Sequence, residues 1–179
     1  YLAPLSGKLS FLTKDLVDFG GRNKIKIGFN PGKTQLSLPK NDLKDILSKV
    51  DILFLNQEEA SILTGISYEK EKDIFKNIDE FCPGIAVMTK GQKGVVVSDG
   101  KYFYKAKALE IKPVDATGAG DSFAAGFLSG FIQSRENIGY AIQLGMANSA
   151  GCFQKVGAKE GLLKKGDKWK KVKVEKEYC

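Results

Sequence analysis

A glycine-rich turn opening onto an apolar segment constrains this chain most. Asp115-Ala116-Thr117-Gly118-Ala119-Gly120-Asp121 runs directly into Ser122-Phe123-Ala124-Ala125-Gly126-Phe127-Leu128, which reads as a helix over 122–131. Such a turn points several backbone N–H groups at one spot, and the helix dipole adds positive potential there. The spot suits an anion. Asp121 at its edge cannot bind an anion but can accept a proton, and an anion cradle beside a base is what phosphoryl transfer to a hydroxyl requires. A lone Gly-x-Gly turn at a helix start also arises from close helix–strand packing, so the turn needs company before it carries a function.

The rest of the chain supplies a consistent frame. Lys24–Phe29 alternates as a strand does and stops at the breaker Asn30-Pro31-Gly32. Leu43, Ile46, Leu47 and Val50 recur at helical spacing. Ile52–Leu55 and Ile85–Met88 are short continuous apolar runs, the pattern of strands buried in a parallel sheet. Helices are expected over Glu58–Leu63, closed by Gly65, and over Glu71–Phe81 and Ile138–Phe153. Gly94–Ser98 and Lys101–Lys105 flank Asp99-Gly100, a hairpin signal. Strands alternating with helices predict an α/β layered fold with a mainly parallel sheet, in which ligands sit beyond the carboxyl ends of the strands.

Composition narrows the chemistry. The 179 residues, 42% hydrophobic and 27% charged, suffice for one domain with a core. No apolar run is long enough to span a membrane and no signal peptide is visible, so no membrane partner is expected. There is no His, which removes His-based triads, His–metal sites and a His base. Cys82, Cys152 and Cys179 show neither a disulfide framework nor metal spacing, which points to a reducing cytoplasm. Of the net +7, residues 164–179 contribute +4, from seven Lys against three acids. With only Trp169 and Tyr178 interleaved, this basic tail reads as a solubilising terminus rather than a nucleic-acid binder.

Gly28–Thr34 looks like a phosphate-binding P-loop but has three residues where the pattern needs four, and Pro39 follows closely on a poor helix start. It is read as a turn after a strand. Three other sites follow predicted strands or line a helix. Asn56-Gln57-Glu58-Glu59 sets Asn56 and Glu59 on one face of a first helical turn, suited to Mg²⁺ through water or to an ordinary helix cap. Thr89-Lys90-Gly91-Gln92-Lys93-Gly94 offers a hydroxyl and bare backbone. Asn148-Ser149-Ala150-Gly151 leads to Val156-Gly157-Ala158 along small residues that fit tight packing equally well.

Taken in order, these motifs resemble the PfkB, ribokinase-like, carbohydrate kinase family. Asp115–Asp121 with Phe123 and Ala125-Gly126 is similar to the family's C-terminal signature, and the Asn-x-x-Glu and Thr-x-Gly-x-x-Gly runs are similar to its nucleotide-side motifs. The resemblance implies a ribokinase-like three-layer α/β/α sandwich, with residues 1–163 as the C-terminal nucleotide-binding and catalytic part and 164–179 as the basic tail. The family's N-terminal part, with its lid and most sugar contacts, is not represented. Asp121 then resembles the catalytic base, and the amides of Gly118, Ala119 and Gly120 the anion hole. Glu59 and Asn56 resemble the pair ordering Mg²⁺. Thr89 and Gly91 resemble nucleotide contacts, Asn148 an adenine-side residue, and Gly157 part of the same nucleotide surroundings. Asp115 and the Thr117 carbonyl resemble part of a monovalent-cation site, completed by carbonyls around Gln154 and Gly157. Gly161 stands where a hydroxyl often closes that site, which leaves K⁺ activation open.

The implied function is an ATP- and Mg²⁺-dependent kinase acting on a hydroxyl of a sugar or nucleoside, with a homodimer open for a full-length protein. The other class is a truncated, non-catalytic member that binds a nucleotide or a partner. Opening on Tyr1, the chain reads as a fragment or processed piece, expected to be inactive alone and to self-associate through exposed sheet edge and apolar surface.

Overall fold

The computed structural model describes residues 1–179. In chain order the elements are α1 (Leu12–Arg22), β1 (Gly28–Phe29), α2 (Lys33–Leu36), α3 (Lys40–Leu47), β2 (Ile52–Asn56), α4 (Gln57–Thr64), α5 (Glu71–Asp79), β3 (Ile85–Thr89), β4 (Val95–Ser98), β5 (Tyr102–Ala106), α6 (Ala119–Gln133), α7 (Ile138–Phe153) and β6 (Val174–Tyr178). The strands form a six-stranded sheet in sequence order, β1 to β6. β1, β2 and β3 are parallel. The β4–β5 hairpin turns at Asp99-Gly100, where Asp99 Oδ1 accepts the amides of Lys101 and Tyr102 at 3.0 and 2.7 Å, and the sheet is therefore mixed.

The chain divides into two compact units. The first holds residues 1–89, 97–103 and 178–179. Four consecutive buried residues in β2, Ile52 to Leu55, are covered on both faces, which is why that run is continuously apolar instead of alternating. Around them Phe29, Leu47, Ile74, Phe75, Ile78 and Met88 are fully buried. The β2–β3 register pairs Asn56 with Thr89 and so sets the ends of these two strands side by side.

Three features of this unit differ from the sequence expectation. The first strand is only Gly28–Phe29, because Lys24 takes a left-handed φ of 55° and the Ile27 amide donates to the Asp51 carboxylate at 2.8 Å instead of a ladder carbonyl. One helical turn does form at Lys33–Leu36. The buried Gln35 reaches back to accept the Gly32 amide at 3.1 Å, and Ser37 and Pro39 then end the turn. The helix Leu12–Arg22 has no counterpart in the sequence reading: Thr13, Val17 and Gly20 form its buried stripe, and two of these are not strongly apolar.

The second unit holds residues 90–96 and 104–177 and is dominated by α6 against α7. Small residues let these helices approach closely. A Cβ on Gly126 would lie 2.9 Å from the Gly145 Cα, and one on Gly145 would lie 3.0 Å from the Phe123 carbonyl oxygen. Phe127, Ala141 and Ile142 are fully buried at the same interface. The basic C-terminal segment is ordered against this unit. Val172 is buried and its carbonyl accepts Gln143 Nε2 at 3.0 Å, Trp169 meets Tyr140 edge-on at 6.1 Å, and Lys105 pairs with Glu177 at 2.9 Å.

Candidate active site

In the first unit the strand β2 delivers Asn56 to the N-terminus of α4. Its side chain accepts the Glu59 amide at 2.8 Å, and Glu59 Oε2 accepts the Asn56 amide at 2.9 Å, a reciprocal cap. Asn30 Nδ2 reaches the same Glu59 oxygen at 3.4 Å while also donating to the Phe54 carbonyl at 2.8 Å. The Glu59 carboxylate is thus held by one oxygen. This fits Mg²⁺, which keeps several waters and needs few protein ligands; Glu59 Oε1 is the atom that would order such a water. Asn56 Oδ1 is committed to the cap, so Asn56 acts by fixing Glu59. Thr89 stands beside Asn56 in the sheet, its hydroxyl donating to the Leu55 carbonyl at 3.4 Å.

The second unit contains Gly91 and the turn. Gly91 opens a single 3-10 turn with φ 55°, and the Lys90 amide closes the loop on the Gly94 carbonyl at 2.8 Å. In the 115–121 turn, Gly118 is the N-cap of α6 with φ 76°, a conformation that favours glycine. A Cβ there would also lie 2.5 Å from the Ala158 Cβ. The Gly118 carbonyl accepts the Ser122 amide at 2.8 Å, and the Ala119 amide donates to Ala116 at 3.2 Å. Of the three expected amides, that of Ala119 is therefore engaged within the turn itself. Asp121 is exposed in the first turn of α6.

Asp115 anchors this turn. Its Oδ1 accepts the Thr117 amide and its Oδ2 the Gly157 amide, both at 2.9 Å. These bonds, led by that of the Thr117 side chain, hold its carboxyl down at about 2. The Val114 amide adds a bond to the Phe153 carbonyl at 2.8 Å. Asn148 is buried with both ends of its carboxamide engaged. Nδ2 donates to the Ser122 carbonyl at 2.7 Å, and Oδ1 accepts the Leu163 amide at 2.9 Å. It braces the start of α6 rather than facing outward.

The sequence reading gave three residues here no role of their own. Ser149 Oγ donates to the Ala119 carbonyl at 3.0 Å, Cys152 Sγ to the Thr117 carbonyl at 3.5 Å, and Ala158 packs on Gly118. Only the spacing of polar atoms at 148, 149 and 152 on a small-residue helix hinted at them. Both Asp115 oxygens and the Thr117 carbonyl accept one protein donor each, which leaves every one of them a further lone pair.

In the second unit a glycine caps the apolar helix α6 with an exposed Asp in its first turn; in the first unit an Asn/Glu cap stands at the end of a parallel strand. The family profile described as pfkB family carbohydrate kinase matches residues 17–165, and this chain belongs to that family. A cytidine kinase of Thermococcus kodakarensis is 36% identical over 138 residues, 75% of this chain and 48% of that protein. A ribokinase of Haemophilus influenzae is 32% identical over 145 residues, 79% and 45% of the two chains. The structure of Arabidopsis thaliana ribokinase complexed with ribose and ATP superposes with a TM-score of 0.72 at 22% identity, covering 82% of this chain and 47% of that one. The fold is thus ribokinase-like α/β. The chain spans about half the length of the curated relatives it matches. No helix is long and apolar enough to cross a membrane.

Proposed function

We propose that this chain carries the nucleotide-binding and phosphoryl-transfer part of an ATP-dependent kinase that phosphorylates a hydroxyl of a sugar or nucleoside. The observation that carries the reading is the left-handed Gly118 N-cap of α6 with Asp121 three residues on. The Gly118 and Gly120 amides are offered to the transferring phosphoryl group, where fixed donors stabilise developing charge without reorganising. Asp121 accepts the proton of the acceptor hydroxyl late, as the O–P bond forms, because such a hydroxyl is a weak acid. Thr89 and Gly91 contact the nucleotide, and Glu59, set by Asn56 and Asn30, would order a water of Mg²⁺. A Mg²⁺ ion held there would neutralise phosphate charge. Asn148 and Gly157 serve from behind, through the hydrogen bonds that fix the turn. The cytidine kinase and ribokinase relatives support both acceptor classes.

The test is turnover by the complete protein that contains this chain, with ATP, Mg²⁺ and a panel of pentoses, hexoses, sugar phosphates and nucleosides. Asp121→Asn is expected to lower kcat roughly 10²- to 10⁴-fold with nucleotide affinity nearly unchanged. Unchanged turnover overturns the assignment of Asp121. Nucleotide binding without turnover on any acceptor favours the non-catalytic alternative.

A further inference from the structure

The helix α7 presents donors at 148, 149 and 152 to carbonyls that lie progressively closer to the glycine turn: Ser122, Ala119 and Thr117. The last of these donors is the thiol of Cys152, which is 0% exposed. Two further carbonyl oxygens face the same sulfur, Ala158 at 3.7 Å and Gly157 at 3.9 Å. The carbonyls of Thr117, Gly157 and Ala158 converge on this buried sulfur, where a donor can satisfy one of them and a purely apolar side chain none. Here the donor is an S–H attached to the chain.

The Thr117 carbonyl and the Gly118 N–H belong to one peptide plane. In a planar trans peptide the two point in opposite directions, so whatever holds the carbonyl also aims the amide. Asp115 holds the preceding amide, that of Thr117, at 2.9 Å. The Thr117 residue is consequently gripped at its N–H by Asp115 and at its C=O by Cys152, on either side of the Cα that precedes the critical peptide.

We propose that Cys152 is a positioning residue. Its thiol holds the Thr117 carbonyl and thereby fixes the peptide plane that carries the Gly118 N–H. The link from the Gly118 amide to phosphate rests on the proposed kinase reading. The thiol's grip on the turn does not.

The test compares wild type, Cys152→Ser, Cys152→Ala and Cys152→Val in the full chain. It reads backbone amide exchange at Thr117, Ala119 and Gly157, and the Gly118 amide shift during titration with inorganic phosphate. Ser keeps a donor of similar size, Val keeps apolar volume without a donor, and Ala keeps neither. The Ser variant is expected to stay within about twofold of wild type at these amides, whereas Val and Ala exchange roughly tenfold faster or more, as local opening becomes easier. Amides in the middle of α7 report whether each variant is folded, and if Ala fails to fold the Ser–Val contrast still decides. Val matching wild type while Ser loosens the turn would make the sulfur mere apolar packing and overturn the proposal. So would exchange unchanged in all three variants. A protein that shows the exchange pattern but no phosphate response and no turnover refutes the kinase reading and leaves the thiol's role standing.

Discussion

Replacing Gly118 with Ala isolates what the turn demands of its backbone. Gly118 has φ 76°, and a Cβ there would stand 2.5 Å from the Ala158 Cβ and 2.8 Å from its Cα. The left-handed conformation costs an L-residue about 1–2 kcal/mol. Bringing the carbon pair to an ordinary separation of about 3.5–4.0 Å requires the 158 backbone to retreat by roughly 1 Å or more. Overpacking of that kind adds about 1–3 kcal/mol. The sum centres near 3–4 kcal/mol, or a fall in Tm of about 6–16 °C at about 2–4 °C per kcal/mol for a chain of this size. Gly120 is the internal control. Its φ is not in the left-handed region and a Cβ there meets nothing within 4 Å, so Gly120→Ala should be neutral or stabilising by up to about 0.5 kcal/mol. Thermal unfolding followed by circular dichroism, supported by urea titration, measures both. Gly118→Ala within about 2 °C of wild type, or Gly120→Ala equally damaging, would show that the turn is not held against Ala158 as described.

Further outcomes follow from the same contacts. The folded Asp115 carboxyl is held at about 2, below its ordinary 3.8, so it contributes stability above pH 4 that is lost as pH falls toward 2. Asp115→Asn should flatten the acid limb of a stability–pH curve in that window, and an unchanged slope counts against the anchor. Glu59→Gln keeps a capping side chain but loses charge, so stability should shift by less than about 0.5 kcal/mol while the apparent Mg²⁺ requirement for ATP use rises several-fold; equal Mg²⁺ titrations would remove Glu59 from that role. The outer face of α1 exposes Leu16 and Phe19 at 46% and 53%, beside Phe11 at 68%. Leu16→Lys with Phe19→Lys should raise the monomer fraction of this chain in light scattering, and an unaltered mass distribution would clear that face of self-association.

What was legible in the sequence follows physical lines. The runs Ile52–Leu55 and Ile85–Met88 announced their strands because strands buried on both faces leave no room for polar alternation, and Ile138–Phe153 was recovered with its bounds because Asn137 caps it. The left-handed Gly65 closed α4 as expected. Lys24–Ile27 alternates convincingly, yet a side-chain acceptor, Asp51, claims the amide that a ladder would need. The basic 164–179 segment looked like a solvated tail because its charges outnumber its apolar residues. One buried Val172 and the strand Val174–Tyr178 suffice to order it. Within the site, glycines and carboxylates were visible as motifs. The donors from Ser149 and Cys152 were not, since their meaning depends on which carbonyls the packing of α6 on α7 brings beneath them.

The strand β6 occupies the end of the sheet next to β5 and reads Val-Glu-Lys-Glu-Tyr, with its last four residues exposed. An outermost strand that alternates opposite charges makes a poor template for a further chain. The strand it shields, Tyr102-Phe103-Tyr104-Lys105-Ala106, is aromatic and of high β-propensity. The last few residues thus act as a guard rail against edge-to-edge fibre growth. Trimming them to simplify handling would exchange a charged border for a sticky one, with insolubility arising far from any catalytic group.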